Sequence, residues 1–372
     1  MDPLGPIAQR FPLVARTRPA CLPLPQRVHA LAELADTAAR HGDASAASTV
    51  CNQAALLASD AGDTDLARAM CHQHADAYLH AAPLSGEAAI RALEPVVNLA
   101  RLQLRAGHHD DARRRLLTLF DAVSTGAPAW IEDIAVPADL TADAEGRHQV
   151  RAWLWRVVLA DGTRALACAG RWLEALVHVE EHRGVGQRML DGRQVAVLAA
   201  LTTGDSPGAH RLLAGTKPGE PWENAVTQCL AVLCRRGAGR SWQDPLQGLV
   251  STFLERPDED GMTVFNTRLG LVALDVIASP ADPATRLVVA ELHRRTMEAS
   301  DGYAARETLA HPLFTALATE REAQDCRSLL HACALGTGVL PSGLRRRLAG
   351  AVRRSDHTIR RNVAQRDPSA AP

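Results

Sequence analysis

Apolar residues recur along most of the chain at intervals of three and four positions, which is the spacing of one face of an α-helix. The pattern begins near Gln26 and continues almost to the C-terminus. A typical stripe includes Leu31, Leu34 and Ala38 and ends at Gly42, and glycine-containing turns separate several later stripes in the same way. No alternating run of β-branched residues competes with the helical pattern. We therefore predict an all-α fold in which antiparallel helix pairs stack side by side.

Two stretches lack the helical pattern. Residues 1–25 contain six prolines, a density that prevents a helix and predicts an extended arm. Residues 124–147 contain two glycines and two prolines with weak periodicity, and they predict a long loop. The chain then divides into the extended arm (1–25), N-terminal helical repeats (26–123), the long loop (124–147), a second set of repeats (148–215), a C-terminal helical region (216–340) and a basic capping helix with its tail (341–372).

Composition narrows the choice of partner. Hydrophobic residues make up 47% of the chain but aromatic residues only 3%, so the core consists of small aliphatic side chains. The formal net charge of -1 gives no general attraction for a polyanion, so nucleic acid is not the expected partner. Arginines do concentrate near the C-terminus, where we expect a solvated capping helix with an apolar packing face. They are Arg345, Arg346, Arg347, Arg353, Arg354, Arg360, Arg361 and Arg366.

The cysteines and the start of the chain bear on its location. None of the eight cysteines forms a CxxC pair, and most lie within helical patterns, so disulfides are not expected. Met1-Asp2-Pro3 lacks the basic region of a secretory signal. No apolar run approaches the roughly 18 residues of a membrane span. We therefore expect a cytoplasmic protein without a membrane partner.

A glycine turn between two helical patterns carries the most specific signal. Gly170-Arg171-Trp172-Leu173-Glu174-Ala175 combines a helix-ending glycine, an aromatic wedge and a small residue, and Gly107–Ala112 is a weaker copy. Over about residues 26–215 the chain resembles tetratricopeptide-type helical repeats, although His182 stands where that family prefers a small residue. The resemblance implies helix pairs stacked into a right-handed superhelical array. Its concave groove would bind a peptide or protein partner.

Our leading hypothesis is accordingly a non-enzymatic scaffold or binding protein. Arginine can grip a carboxylate with two parallel hydrogen bonds, so arginines near the elbow are candidate groove residues. They are Arg151, Arg164, Arg183, Arg188 and Arg193. The glycine-punctuated segment around the last three lacks both GxGxxG spacing and a P-loop, so we predict no nucleotide site.

A second resemblance supports two alternatives. The run Leu159–Val197 is similar to stand-alone actinobacterial helical-repeat proteins associated with regulation and with lanthipeptide-type maturation of peptide natural products. This implies either a transcriptional regulator subunit or a metal-free enzyme, or accessory subunit, for thioether cyclisation of a ribosomal peptide. Such cyclisation needs a base to form a cysteine thiolate and an acid to protonate the enolate. His182 with Asp191, or His178, could serve.

The segment His178-Val179-Glu180-Glu181-His182 also fits the H-x-x-E-H pattern of one class of zinc peptidases. Histidines four positions apart share a helical face and could hold zinc, with Glu181 as a base. Peptidases of that class do not use helical-repeat elbows, so we expect an ordinary helix, no metal and no cofactor. The histidines of Cys71-His72-Gln73-His74 are likewise expected on a helix surface or at an elbow, and not at a metal site.

Overall fold

The structure of the protein, a computed structural model, describes residues 1–365 and is mostly helical. The predicted all-α fold of stacked helices is confirmed. Its helices are α1 (Pro6–Gln9), α2 (Leu24–His41), α3 (Ala44–Ala61), α4 (Thr64–Leu79), α5 (Gly86–Arg105), α6 (His109–Thr125), α7 (Ala144–Val157), α8 (Thr163–Cys168), α9 (Trp172–Glu181), α10 (Asp191–Thr202), α11 (Ser206–Ala214), α12 (Pro221–Gly237), α13 (Gln243–Glu255), α14 (Thr263–Ile277), α15 (Pro283–Ala299), α16 (Gly302–Leu309), α17 (Pro312–Leu317), α18 (Glu320–Ala332) and α19 (Ser342–Gln365). A π-helical segment, Val158–Gly162, joins α7 to α8.

The chain forms two compact units, each built from separate parts of the sequence. Unit 1 comprises residues 1–23 and 166–333, and unit 2 comprises residues 24–165 together with the C-terminal segment that begins at Ala334. Within residues 1–365, no helix has both the length and the apolar character needed to cross a membrane.

Glycine–aspartate pairs make several of the sharp turns between helices. Gly62 ends α3 in a left-handed conformation (φ 89°), which costs glycine little. Asp63 then caps α4, because its carboxylate accepts a hydrogen bond from the Leu66 N–H at 3.1 Å. Gly42-Asp43 and Gly204-Asp205 repeat the arrangement before α3 and α11. The short turns keep consecutive helices antiparallel and in contact.

In unit 2, α2 to α6 pack in sequence order and α19 returns to pack on α2, α3 and α4. Leu348, Val352 and Ile359 bury the apolar face of α19, as the sequence pattern predicted. Its charged face is partly neutralised, since Arg354 pairs with Asp36 and Arg360 with Asp76, each at 2.7 Å. Arg345 and Arg347 also have partners, in Asp63 and His29.

The transcriptional-regulator hypothesis, which came from the resemblance of Leu159–Val197, stays a prediction, and α19 is the basic element that could contact nucleic acid. Besides the arginines with partners named above, the exposed arginines on the described part of α19 are Arg346, Arg353 and Arg361, and these could contact a polyanion. Arg366, expected in the same basic cluster, lies outside the described residues together with the rest of the tail.

The segment expected as a long loop contains a small hairpin. Strand β1 (Ala129–Ile131) pairs antiparallel with β2 (Ile134–Val136). Ile131 and Ile134 are buried in unit 2 while Trp130 is exposed. Further along, the Leu84 N–H donates to the Leu140 carbonyl at 2.8 Å. This segment is therefore part of the core of unit 2.

His74, which we expected on a helix surface, is instead buried on α4. Its Nε2 lies 2.7 Å from Ser48 Oγ. Burial, assisted by the positive charge of Arg91, lowers the pKa of His74 from 6.5 to about 3. The imidazole is therefore neutral in the folded protein at physiological pH.

This buried imidazole makes the protein less stable in acid. Between pH 6.5 and about 3 the unfolded chain protonates this histidine and the folded chain does not, so unfolding becomes easier as the pH falls through that window. The effect approaches about 1.4 kcal/mol per pH unit. We expect His74→Gln to lose less stability than the wild type between pH 7 and pH 5, as measured by chemical denaturation. His148→Gln, at an exposed site in unit 2, should behave like the wild type. Equal losses in all three proteins would contradict this account.

Candidate functional site

The Gly170 turn, predicted as an elbow between two helices, lies in unit 1 between α8 and α9. Gly170 has a φ of 71°, and its N–H donates to the Ala167 carbonyl as α8 ends. Trp172, the first residue of α9, is buried, and Ala175 one turn later is also buried. The indole Nε1 of Trp172 donates to the carbonyl oxygen of Pro3 at 3.1 Å. The elbow is thus a docking point for the start of the chain.

Residues 3–23, hereafter the N-terminal segment, lie on the helices of unit 1. Apart from α1 the segment has no helix, and Ala8, Phe11 and Leu13 are buried. Gln194 on α10 forms two hydrogen bonds with the backbone of the segment. Gln194 Oε1 accepts from the Leu13 N–H, and Gln194 Nε2 donates to the Leu13 carbonyl, both at 2.7 Å. Gln194 is 0% exposed. One side-chain amide therefore satisfies both backbone groups of a buried residue, as a neighbouring strand would.

Ion pairs flank this backbone contact. Arg10 binds Asp275 on α14 at 2.7 Å, and Arg16 binds Asp191 at the start of α10 at 2.7 Å. Burial opposes ionisation of Asp275. Hydrogen bonds from His311 and Arg10, with the attraction of their charges, outweigh burial and hold the pKa of Asp275 below its usual range. The receiving surface is acidic where the segment is basic.

The far end of the segment is also anchored. The Arg18 N–H donates to the Gly261 carbonyl at 3.2 Å, and the Arg18 guanidinium lies 4.5 Å from the centre of the Tyr303 ring. The Cys21 carbonyl accepts from the Gly302 N–H and from Cys333 Sγ. Main-chain contacts thus hold the segment from Pro3 to Cys21.

A second constellation lies at the C-terminal end of α9. His178 is buried (1% exposed), Glu181 is exposed and His182 is half-buried. The rings of His178 and His182 are 4.5 Å apart between their centres, and His182 Nδ1 lies 2.8 Å from the His178 carbonyl oxygen. Asp191, the other predicted catalytic residue, pairs with Arg16. The catalytic role of these residues stays a prediction, and His182 has the most accessible imidazole of the set.

The structure divides the predicted peptide-binding arginines between the two units. Arg151 and Arg164 are exposed on α7 and α8 in unit 2, whereas Arg183, Arg188 and Arg193 lie in unit 1. Peptide binding by these residues stays a prediction.

Arg188 and Arg193 already have partners. Arg188 donates to Glu223, a buried carboxylate, and this hydrogen bond holds the pKa of Glu223 below its usual range. Arg193 is 7% exposed and donates to Gly186 O at 2.9 Å, to Thr216 Oγ1 at 2.8 Å and to Leu212 O. A peptide could engage Arg193 only if these bonds opened.

The sequence-based predictions missed the residues that hold the N-terminal segment. Gln194 lies on a helical stripe and gives no local sign of a distant partner. A signal was present in the segment itself, where residues 11–15 (Phe-Pro-Leu-Val-Ala) form a continuous apolar run of the kind that is usually buried. The proline density obscured it.

Comparisons with known proteins give no relative from which function could be transferred. No protein family, curated protein or solved structure matches the chain. The function must be inferred from the contacts of its own residues.

The close approach of Gly261 to the N-terminal segment can be tested. Gly261 and Gly204 both have positive φ angles, of 78° and 81°, so alanine at either position costs about 1–2 kcal/mol in backbone strain. A Cβ at Gly261 would also lie 3.1 Å from Arg18 N and 3.2 Å from Thr17 Cα, whereas a Cβ at Gly204 would meet nothing within 4 Å. We expect Gly261→Ala to lower the thermal unfolding midpoint more than Gly204→Ala. Equal thermal midpoints for the two variants would show that the N-terminal segment does not restrict the space beside Gly261.

The role of Arg193 can be tested by a change that keeps its charge. Lysine has no planar fork, so Arg193→Lys cannot reach all three acceptors and leaves part-buried carbonyls without this donor. Each lost charged hydrogen bond costs about 1.5–3 kcal/mol. We expect a clear loss of stability in chemical denaturation, while Arg183→Lys, at an exposed position of the same loop, should match the wild type. A wild-type midpoint for Arg193→Lys would argue against its structural role.

Proposed function

We propose that this protein is a non-enzymatic binding or scaffold protein that recognises an extended segment of a peptide or protein partner on a stack of helices. One observation carries the proposal: the Gln194 side chain of unit 1 pairs with both backbone groups of Leu13. The helices of this unit hold an extended polypeptide, here a segment of the same chain. A partner segment of similar chemistry would use the same contacts in its place.

The contacts also indicate which partner would fit. Backbone recognition by Gln194 is independent of the side chain bound, so selectivity must come from the flanking sites. These sites bury apolar side chains at alternate positions, Phe11 and Leu13, and pair with basic side chains on either side, Arg10 and Arg16. We propose a partner segment that is extended, apolar at alternate positions and basic at its flanks. Recognition of this kind combines main-chain hydrogen bonds with side-chain pockets.

The resemblance of the Gly170 elbow to tetratricopeptide-type repeats supports the same function. In that family, stacked helix pairs form a right-handed superhelix whose concave surface suits extended peptides. We propose the same use of the helices that follow Gly170. The cysteines of the chain, all eight of them among the described residues, are free thiols. This suits a reducing compartment such as the cytoplasm, where we propose that binding takes place.

Peptide binding can be tested by loosening the N-terminal segment without altering the surface that receives it. Leu13→Asp places a charge at a buried site of the segment and should release it. The apparent affinity of the unit for a peptide added in solution rises with the fraction of free sites. We expect a fluorescent peptide with the sequence of residues 3–17 to bind Leu13→Asp at least about tenfold more tightly than the wild type, measured by anisotropy.

Two controls make the result specific. Leu22→Asp changes a residue of the same segment that is 36% exposed, and it should bind the peptide as weakly as the wild type does. A peptide carrying the Leu13→Asp change should not bind either protein. Arg10→Ala combined with Arg16→Ala offers a milder release if Leu13→Asp does not fold. Folded, released variants that fail to bind the peptide would refute the proposal.

A further inference from the structure

The last turn of α9 brings three metal-ligating side chains together. His178, Glu181 and His182 each offer one ligand atom, and these atoms all lie within 4.8 Å of one another. Among residues 1–365 this is the one group of three or more such side chains that meets this distance. The peptide-binding proposal makes no use of it. We infer that these three residues form a binding site for one divalent transition-metal ion, of which zinc is the expected example.

The spacing suits a single ion. Positions i, i+3 and i+4 share one face of a helix, so the three side chains point the same way. Zinc binds imidazole nitrogen and carboxylate oxygen at about 2.0–2.2 Å, which in a tetrahedral site separates neighbouring ligand atoms by about 3.4 Å. Ligand atoms within 4.8 Å therefore need only a small adjustment of side-chain rotamers to close on an ion.

One imidazole is already oriented for this role. His182 Nδ1 lies 2.8 Å from the His178 carbonyl oxygen, and because a carbonyl can only accept, Nδ1 carries the proton. Nε2 is therefore the nitrogen through which His182 would ligate a metal. Metal-ligating histidines typically donate their other N–H to a backbone carbonyl or carboxylate in this way.

The surroundings favour a cation. The site lies at the C-terminal end of α9, where the aligned peptide dipoles of a helix place partial negative charge. Glu181 adds a full negative charge and is exposed, so an ion can reach the site from solvent. His178 lies buried beneath it. Two imidazoles and one carboxylate form a ligand set that suits zinc, and also nickel or copper, better than magnesium or calcium.

The experiment uses the full-length chain after removal of metal with a chelator. Zinc is titrated against a chromophoric competitor, and cobalt(II) serves as a visible probe of coordination. We expect one ion per chain. His182→Ala and Glu181→Gln each remove a ligand from an accessible position and should weaken binding at least about tenfold, since even outer-shell changes cost 10–100-fold. Glu180→Gln, on the same helix and exposed but outside the group, should bind like the wild type.

The outcomes separate this site from others on the chain. Loss of binding in both ligand variants with retention in Glu180→Gln supports the inference, as does a cobalt spectrum without the charge-transfer band of a thiolate ligand. An absence of stoichiometric zinc would overturn it. So would equal affinities in His182→Ala, Glu181→Gln and Glu180→Gln, because the ion would then be bound elsewhere. None of these results depends on whether the protein binds a peptide.

Discussion

The paired hydrogen bonds between Gln194 and Leu13 are the contact on which unit 1 depends. Buried polar groups need hydrogen-bond partners, and here the Gln194 amide and the Leu13 backbone each provide one donor and one acceptor to the other. Removing the segment would take away the N–H that donates to Gln194 Oε1 and the carbonyl that accepts from Gln194 Nε2, leaving the Met189 carbonyl as its other partner. The exposure of Phe11 and Leu13 to water would add to that loss. The helices of this unit are therefore complete only with an extended segment in place.

The sequence predicted what local periodicity can encode. The helical stripes, the Gly170 elbow and the packing face of α19 all follow from spacing within one helix or across one turn. The hairpin within residues 124–147 did not, because strands of three residues are too short for alternation to stand out. His74 was misplaced because a lone polar residue does not reveal the distant neighbour, Ser48, that permits its burial. The docking of the N-terminal segment was missed for the same reason, since it joins residues far apart in the chain.

Some of the arginines near the Gly170 elbow make internal hydrogen bonds. The planar guanidinium can satisfy several backbone carbonyls at once, and the fold uses it to hold loops and helix ends. Arg193 does this at the loop before α10, and Arg295 does it on α15, where it donates to the carbonyls of Phe253 and Arg256. Both are buried. A cluster of arginines in such a sequence marks internal connections as readily as it marks a site for carboxylates, and burial distinguishes the two.

The two proposed sites meet in one short stretch of unit 1. His182 directly follows α9, and Arg193 donates a hydrogen bond to the Gly186 carbonyl in the loop beyond it. The next helix, α10, carries Asp191 and Gln194, which contact the N-terminal segment. An ion bound by His182 would fix the start of this loop, and a bound segment fixes its end. Any free energy by which the ion favours the docked arrangement must equal that by which the segment favours the ion, because coupling between two binding events is reciprocal. Zinc affinity measured with the segment docked and with it released therefore reports the strength of that coupling directly.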